Sequence, residues 1–204
     1  MSYIGMRCLV AAPVQSHVDG NPITYGAGFV VGPAVAANLN YVVNDNPDFG
    51  DDVEQDNDNG INGYNGTADA TDIEDTTMAK MLGWETVPET EDEYEGTDAQ
   101  PPQMGWGFMR VKMKNGVRRY EAKWFHKAQF TQQTTTGATK ARQIEWNHPQ
   151  LNVNGIGAYI DGSGKARWFR HKTFTTEAAA QAWLYGKANI TPAASNGTQA
   201  GNPG

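Results

Sequence analysis

Residues Gly105 to Phe125 read GWGFMRVKMKNGVRRYEAKWF. Two runs rich in β-branched, aromatic and long side chains flank Asn115-Gly116. That dipeptide suits a two-residue hairpin turn, because both central residues must reach positive φ and Asn and Gly do so at least steric cost. Setting Lys114 opposite Val117 fixes the rest: Val111 faces Tyr120, Met109 faces Ala122 and Gly107 faces Trp124. These six share one apolar face, expected to meet the core. The other face sets Arg110 against Glu121, a favourable cross-strand pair, and Lys112 against Arg119, like charges that need carboxylates or solvent.

The chain of 204 residues is the size of one domain with a sizeable core, assigned here to residues 1–190. Aromatics at 10% and hydrophobics at 39% suffice for a packed interior, while 23 glycines and 10 prolines favour a loop-rich, mainly β protein over a helical bundle. No apolar run approaches the ~20 residues of a membrane span, and no leader-like pattern opens the chain, so a soluble protein is expected. Cys8 stands alone, which leaves no disulfide framework and no thiolate cluster for zinc; it reads as a small buried residue. Charge is more informative. Residues 1–104 hold 19 acids and two bases, Arg7 and Lys80, whereas residues 105–204 hold 4 acids and 14 bases. That is −17 against +10 within a net −7, and since both halves also carry strand-like patterns it reads as complementarity rather than a charged tail.

Outward from the hairpin, MRCLVAAPV (Met6–Val14) predicts a strand broken at Pro13, with a turn around Asp19 to Pro22. The alternation of Val35, Ala37, Leu39, Tyr41 and Val43 predicts a half-buried strand. Residues 44–58, NDNPDFGDDVEQDND, hold seven acids and no base. With INGYNGTADAT they predict a polar hairpin or loop reaching away from the body, over residues 44–66. Met78, Met81 and Leu82 have helical spacing, with acids before them and Gly83 as a stop, and predict a short helix. Trp84 to Val87 reads as a strand and Glu89 to Gln103 as an exposed acidic loop. Beyond the hairpin, Lys140–Trp146, Leu151–Ile160 and Lys165–Phe174 are strand candidates. Thr176 caps a helix EAAAQAWLYGK with Ala180, Trp183 and Leu184 as its apolar stripe, and residues 191–204 carry no apolar pattern.

No catalytic constellation emerges, and no cofactor or metal is expected. The acids of 45–58 lack apolar neighbours that would raise a pKa for general-acid work. DNDNG fails as a calcium loop: with Gly60 sixth, Gln55 falls first and Gly66 twelfth, where Asp and a bidentate Glu are needed. His17, His126, His148 and His171 share no metal-ligand spacing. Gly105-Trp106-Gly107 opens a strand rather than a helix, which points to close backbone packing and not to a phosphate loop. Trp106, Trp124, Trp146 and Trp168 would serve as stacking platforms for nucleic acid, but alternation puts Trp124 on the core face, and a sequence pI near 5.0 opposes phosphate binding.

GWGFMRVKMKNGVRRYEAKWFHKAQF, preceded by a short helix ending MLGW and followed by FTTEAAAQAWL, resembles the major tail proteins, or tail tube proteins, of long non-contractile-tailed siphophages. The resemblance runs from about Tyr25 to Ile190 and includes YGAG, PAVAANLNYVV and DFGDD. The 89–102 loop is particular to this chain, Ala179 stands where the family often has an acid, and the last fourteen residues match nothing.

The resemblance implies an antiparallel β-sandwich with a flanking helix, a C-terminal helix and a long protruding hairpin. It implies hexameric rings stacked into a tube that conducts double-stranded DNA without binding it specifically, whose inner sheets join into a continuous barrel. Its partners would be further copies of itself, a tape measure protein and tail terminator or distal tail proteins, with no membrane involved. The location would be the virion, and the host cytoplasm before assembly. On this reading the protein is structural, not an enzyme. Residues 44–66 form the stacking element, and Asp51, Asp52, Glu54, Asp56 and Asp58 reach basic side chains of a neighbour, with Lys112, Arg118 and Arg119 as candidates. An acidic or neutral wall lets DNA slide, since each Lys or Arg on a phosphate holds the duplex. Separated charge suits head-to-tail docking. Three other readings remain: charges that cancel inside each subunit, a monomeric β-sandwich module gripping carbohydrate or peptide through exposed tryptophans, and a small hydrolase built on the acidic loop.

Overall fold

The structure, a computed structural model, describes residues 2–18, 21–43, 46–50, 53–58, 61–87, 92–94, 96, 99–132 and 148–192. The strand expected over Lys140–Trp146, the residues Asp51 and Asp52, and the tail from 193 lie outside them. The chain opens with β1 (Ser2–Ser16), β2 (Thr24–Tyr25), β3 (Phe29–Gly32) and β4 (Ala34–Val43), then β5 (Asn46–Gly50), β6 (Val53–Asp58) and β7 (Ile61–Ala70). Helix α1 (Asp75–Leu82) leads to β8 (Glu85–Val87), β9 (Asp92–Tyr94), β10 (Met104–Lys114) and β11 (Val117–Gln132). The chain closes with β12 (Gln150–Gly155), β13 (Ala158–Tyr159), β14 (Ala166–Arg167), β15 (Phe169–Phe174) and α2 (Glu177–Ala188).

The hairpin β10–β11 forms in the expected register, Lys114 opposite Val117 and Gly107 opposite Trp124, with Asn115 at φ 50° and Gly116 at φ 76°. It lies inside one nine-stranded antiparallel sheet running β2-β1-β10-β11-β12-β7-β4, with β3 also on β1 and β15 also on β11. Strand β11 is where the sheet forks. Residues Tyr120 to Phe125 pair with β15, and Ala128 to Gln132 pair with β12. A register shift between Met104 and Trp106 bends the ladder just there. The branch β12–β7–β4 then folds over the face it left, giving the mainly β, sandwich-like α+β fold expected.

The layers meet in an aromatic core. Trp106 stacks on Phe125 at 4.8 Å, meets Phe130 edge-on at 5.8 Å, and donates from Nε1 to Tyr64 Oη at 3.0 Å. Tyr64 comes from β7, so one hydrogen bond inside the core ties the layers together. A second cluster lies behind the same hairpin, where Ala180, Leu184 and Ala188 of α2 pack on Val10, Ala12, Met109, Ala122 and Trp124. The base of the hairpin is thus covered on both faces, not on one as expected. Gly107 explains the close approach, since a Cβ there would stand 2.9 Å from the Trp124 ring and 3.0 Å from Leu184.

Four other expectations change. The strand β1 runs through Pro13 to Ser16, with Pro13 opposite Met104 at its margin. Residues 61–66 are not part of the protruding hairpin: they open β7, where Gly63, Tyr64, Ala68 and Ala70 are buried between β12 and β4. Small residues on that face let the layers close. A bulge between Ala34 and Ala36 takes Val35 out of phase with Ala37 and Leu39 and leaves it exposed. Within the expected acidic loop, β9 pairs with β8. Both helices end as read: Gly83 at φ 74° stops α1, and Thr176 Oγ1 accepts from Ala179 N at 3.3 Å to start α2.

A Cβ on Gly155 would fall inside the Tyr64 ring. Gly155→Ala is therefore expected to cost about 2–4 kcal/mol in denaturant unfolding. Gly162→Ala, with open space around it, is expected to stay within about 0.5 kcal/mol.

Candidate functional site

Toward its turn the hairpin outgrows its cover and becomes charged. Glu121 is buried, and its carboxylate takes Arg110 Nη2 at 2.7 Å and Lys112 Nζ at 2.5 Å. Lys112, set opposite Arg119 by the register, has reached diagonally to the one nearby carboxylate. Burial acts to raise the Glu121 pKa, and the hydrogen bonds from Lys112 and Arg110 outweigh it, holding the group below the ordinary carboxylate range. Tyr3 stacks beneath the pair, 3.9 Å from the Arg110 guanidinium carbon, and its hydroxyl accepts from Arg110 Nη2 at 3.1 Å. Lys123 sits 5.1 Å over the Phe169 ring. Burial lowers its pKa, and Arg110 and Lys112 push the same way.

The structure separates the candidate residues read from the sequence. Lys112 is engaged inside its own subunit. Arg118 and Arg119 are both exposed, opposite Met113 and Lys112 respectively, so alternation sends them to opposite faces. Glu54, Asp56 and Asp58 lie on β6, which among the described residues pairs with β5; the register sets Asp56 opposite Asp48 and Asp58 opposite Asn46. Opposed carboxylates do not stabilise such a pair. Among the described residues, the ion pairs are Arg7–Glu177, Arg110–Glu121, Lys112–Glu121 and Arg167–Asp161. None joins a carboxylate of residues 1–104 to a base of residues 105–204, so the charge separation read from the sequence is not cancelled by these contacts. Lys123 and His171 share the sheet face of the Arg110–Glu121 pair. Their signal was parity with Glu121, plus a β11–β15 pairing that no local pattern announces.

Among the described residues, β2, β3, β4 and β15 each pair with a single strand of the nine-stranded sheet, and β4 and β15 are unlike in character. Strand β4 pairs with β7 alone, and Tyr41, Val42, Val43 and the adjacent Ile61 are exposed. Strand β15 pairs with β11 alone and shows Arg170, His171 and Lys172.

The clefts carry little chemistry. A cavity of about 280 Å³ between β7, β11 and β12 is lined by carboxamides, Tyr64 and Lys127, with no carboxylate or nucleophile–base pair. A second, about 330 Å³, is bordered by Arg7, Cys8, Glu177 and Tyr185. Burial, helped by Glu177, pushes the Cys8 thiol up to about 11, away from thiolate reactivity. Cys8 holds φ 57° beside the bulge in β1. Among the described residues no His, Cys, Asp and Glu group is placed to hold a metal ion, and no helix is long and apolar enough to cross a membrane. Among the described tryptophans, Trp106 and Trp124 are fully buried and Trp84, Trp168 and Trp183 half-buried, while Trp146 lies outside the described residues. No protein-family model matches the chain, and no curated protein matches it.

His126, 4% exposed, is a further buried titratable group. Tyr25 Oη donates to the His126 carbonyl at 2.8 Å and lies 3.3 Å from Nδ1, while Nε2 has no partner among the described residues. Burial, with Arg170, Lys187 and Arg167 nearby, lowers its pKa to about 4.

Glu121→Gln would leave Arg110 and Lys112 without their counter-charge, and is expected to cost about 2 kcal/mol by chemical denaturation. For His126 the unfolded imidazole takes up a proton near pH 6.5 that the native state refuses until about pH 4. Stability therefore falls as pH drops through that window, by up to about 3 kcal/mol from this residue. Denaturation midpoints from pH 7 to 4 should show a flatter profile for His126→Gln than for the parent chain.

Proposed function

We propose that this protein is a structural subunit that assembles with copies of itself, as the tail tube protein of a long non-contractile-tailed phage. The observation that carries the reading is the pair of unlike open edges on one sheet. Strand β4 shows Tyr41, Val42 and Val43, whereas β15 shows Arg170, His171 and Lys172. An exposed edge with apolar side chains is a template for another strand, which monomeric proteins blunt. Two different edges meeting head to tail make a heterologous contact, which closes into a ring when the rotation allows. Stacked rings would make a tube, and the net charge of −7 opposes retention of duplex DNA in its bore. The tape measure, terminator and distal tail proteins would be its partners in the virion.

Val42→Lys puts a charge on the open edge at a position 42% exposed, so it should leave monomer stability within about 0.5 kcal/mol. Sedimentation velocity over a wide concentration range should show large oligomers for the parent chain and their loss in this variant. Oligomers unaffected by Val42→Lys would remove β4 from the assembly contact.

A further inference from the structure

The branch β11–β12–β7–β4 has one face in the core and one outside it. Phe130, Val153, Gly66 and Leu39 are successive cross-strand partners, and Phe130, Val153 and Leu39 belong to the aromatic core. Directly paired residues point to one side of a sheet and the next pairs to the other. The rows on either side of this one therefore face outward. They read Gln129, Asn154, Asn65, Asn40 and Thr131, Asn152, Thr67, Asn38. All eight side chains offer hydrogen-bonding groups, and none carries a charge. A third outward row lies beyond Gln129. Ile156 N donates to Lys127 O at 3.1 Å and Val42 pairs with Gly63, which sets Lys127, Ile156, Gly63 and Val42 in line. Gly63 contributes no side chain to that row, and the gap there opens the cavity of about 280 Å³.

We propose that this cleft binds one ring of a neutral saccharide. The inference is independent of the self-assembly reading. A pyranose is amphipathic, with hydroxyls around its edge and C–H bonds on its faces, and the cleft has a part for each. Asn65, Gln103, Gln129 and Asn154 bring carboxamides to it, each with a donor and an acceptor that two adjacent hydroxyls can meet together. The side chains of Asn65, Gln103 and Asn154 have no hydrogen-bond partner among the described residues, so binding displaces only water from them. Gln129 donates from Nε2 to Pro101 O at 3.0 Å, which fixes the side chain and leaves its carbonyl as an acceptor. On the other side Ile156 and Val42, 50% and 42% exposed, present aliphatic surface to a C–H face of the ring. The volume lies just under the range of drug-sized pockets, which suits a single ring. No carboxylate lines the cleft, which disfavours a cation. Its one charged lining residue, Lys127, is buried with Nζ 3.2 Å from His17 Nδ1. A carboxylated sugar reaching that ammonium would be the competing ligand.

Saturation-transfer NMR and titration of the full-length chain test the site with glucose, N-acetylglucosamine, glucuronate and sorbitol. The expected result is saturable binding of glucose or N-acetylglucosamine with a Kd of about 1 mM, and binding of sorbitol, whose hydroxyls lie on no ring, about tenfold weaker. Asn65→Ala with Asn154→Ala should weaken sugar binding about tenfold. Asn38→Ala with Thr131→Ala, in the row away from the cleft, should leave it within about twofold. All four positions are exposed, so both double variants are expected to fold. No saturable binding of either neutral sugar overturns the proposal. So does sugar binding unchanged by Asn65→Ala with Asn154→Ala, which would put the ligand elsewhere, and so does sorbitol bound as tightly as the sugars, which would reduce the contact to a general affinity for hydroxyls. Glucuronate bound more tightly than both neutral sugars, and brought to their level by Lys127→Gln, would make the ligand an acidic sugar and overturn the neutral assignment.

Discussion

Trp106 and Trp124 enter opposite faces of one β-hairpin, and both are fully buried. Each brings an aromatic surface whose burial contributes about 2–3 kcal/mol only if another element covers it. The rest of the fold follows from that double demand. Trp124 and its neighbours Met109 and Ala122 are covered by α2, whose alanines let the helix lie close to the sheet. Trp106, with Phe108 and Phe125, requires a second layer, and β11 supplies it by changing partners along its length, from β15 to β12. The Trp106–Tyr64 hydrogen bond then satisfies the indole N–H inside the core that it helps to form.

The same arrangement accounts for what is left outside. The covering branch ends before the hairpin does, so the outer half of the hairpin can be neither apolar nor isolated from water. It is occupied by cations arranged around Glu121 and by the aromatic rings of Tyr3 and Phe169. Two edge strands of the forked sheet are unlike in character, β4 apolar and the side strand β15 basic. A closed barrel would have neither feature. Open edges and a cationic face are what the proposed self-assembling subunit would present to its neighbours.

Local chemistry made much of this legible. Asn115-Gly116 determined the hairpin and with it nine cross-strand pairings from Lys114–Val117 to Trp106–Phe125, because a two-residue turn leaves no freedom in the register. Gly83 and Thr176 marked helix ends for equally local reasons. What escaped was the partnership of distant segments. Residues 61–66 look polar and loop-like, and only the small side chains opposite β12 explain why Tyr64 there is buried. The bulge at Ala34 and Ala36 takes Val35 out of the alternation; Ala37 and Leu39 keep it, and Tyr41 and Val43, expected on the same half-buried face, are exposed. Of the candidate residues, Arg119 lies on the cationic face, Arg118 points to the other side, and Lys112 is engaged by Glu121, whose diagonal reach strict cross-strand pairing did not include. Lys123 and His171 became neighbours only through the pairing of β11 with β15.

The charge asymmetry gains a physical meaning from this geometry. The ion pairs among the described residues join no acid of the first half to a base of the second, and the proposed assembly would use both in contacts between copies. Such contacts between exposed charges weaken as salt shortens the range of the field to about 8 Å and below, while strand pairing at the sheet edges does not. Electron microscopy of the purified full-length chain at high concentration tests the central claim most directly. The account predicts rings or tubes of uniform width. A field of dispersed single subunits at every concentration and ionic strength would contradict it.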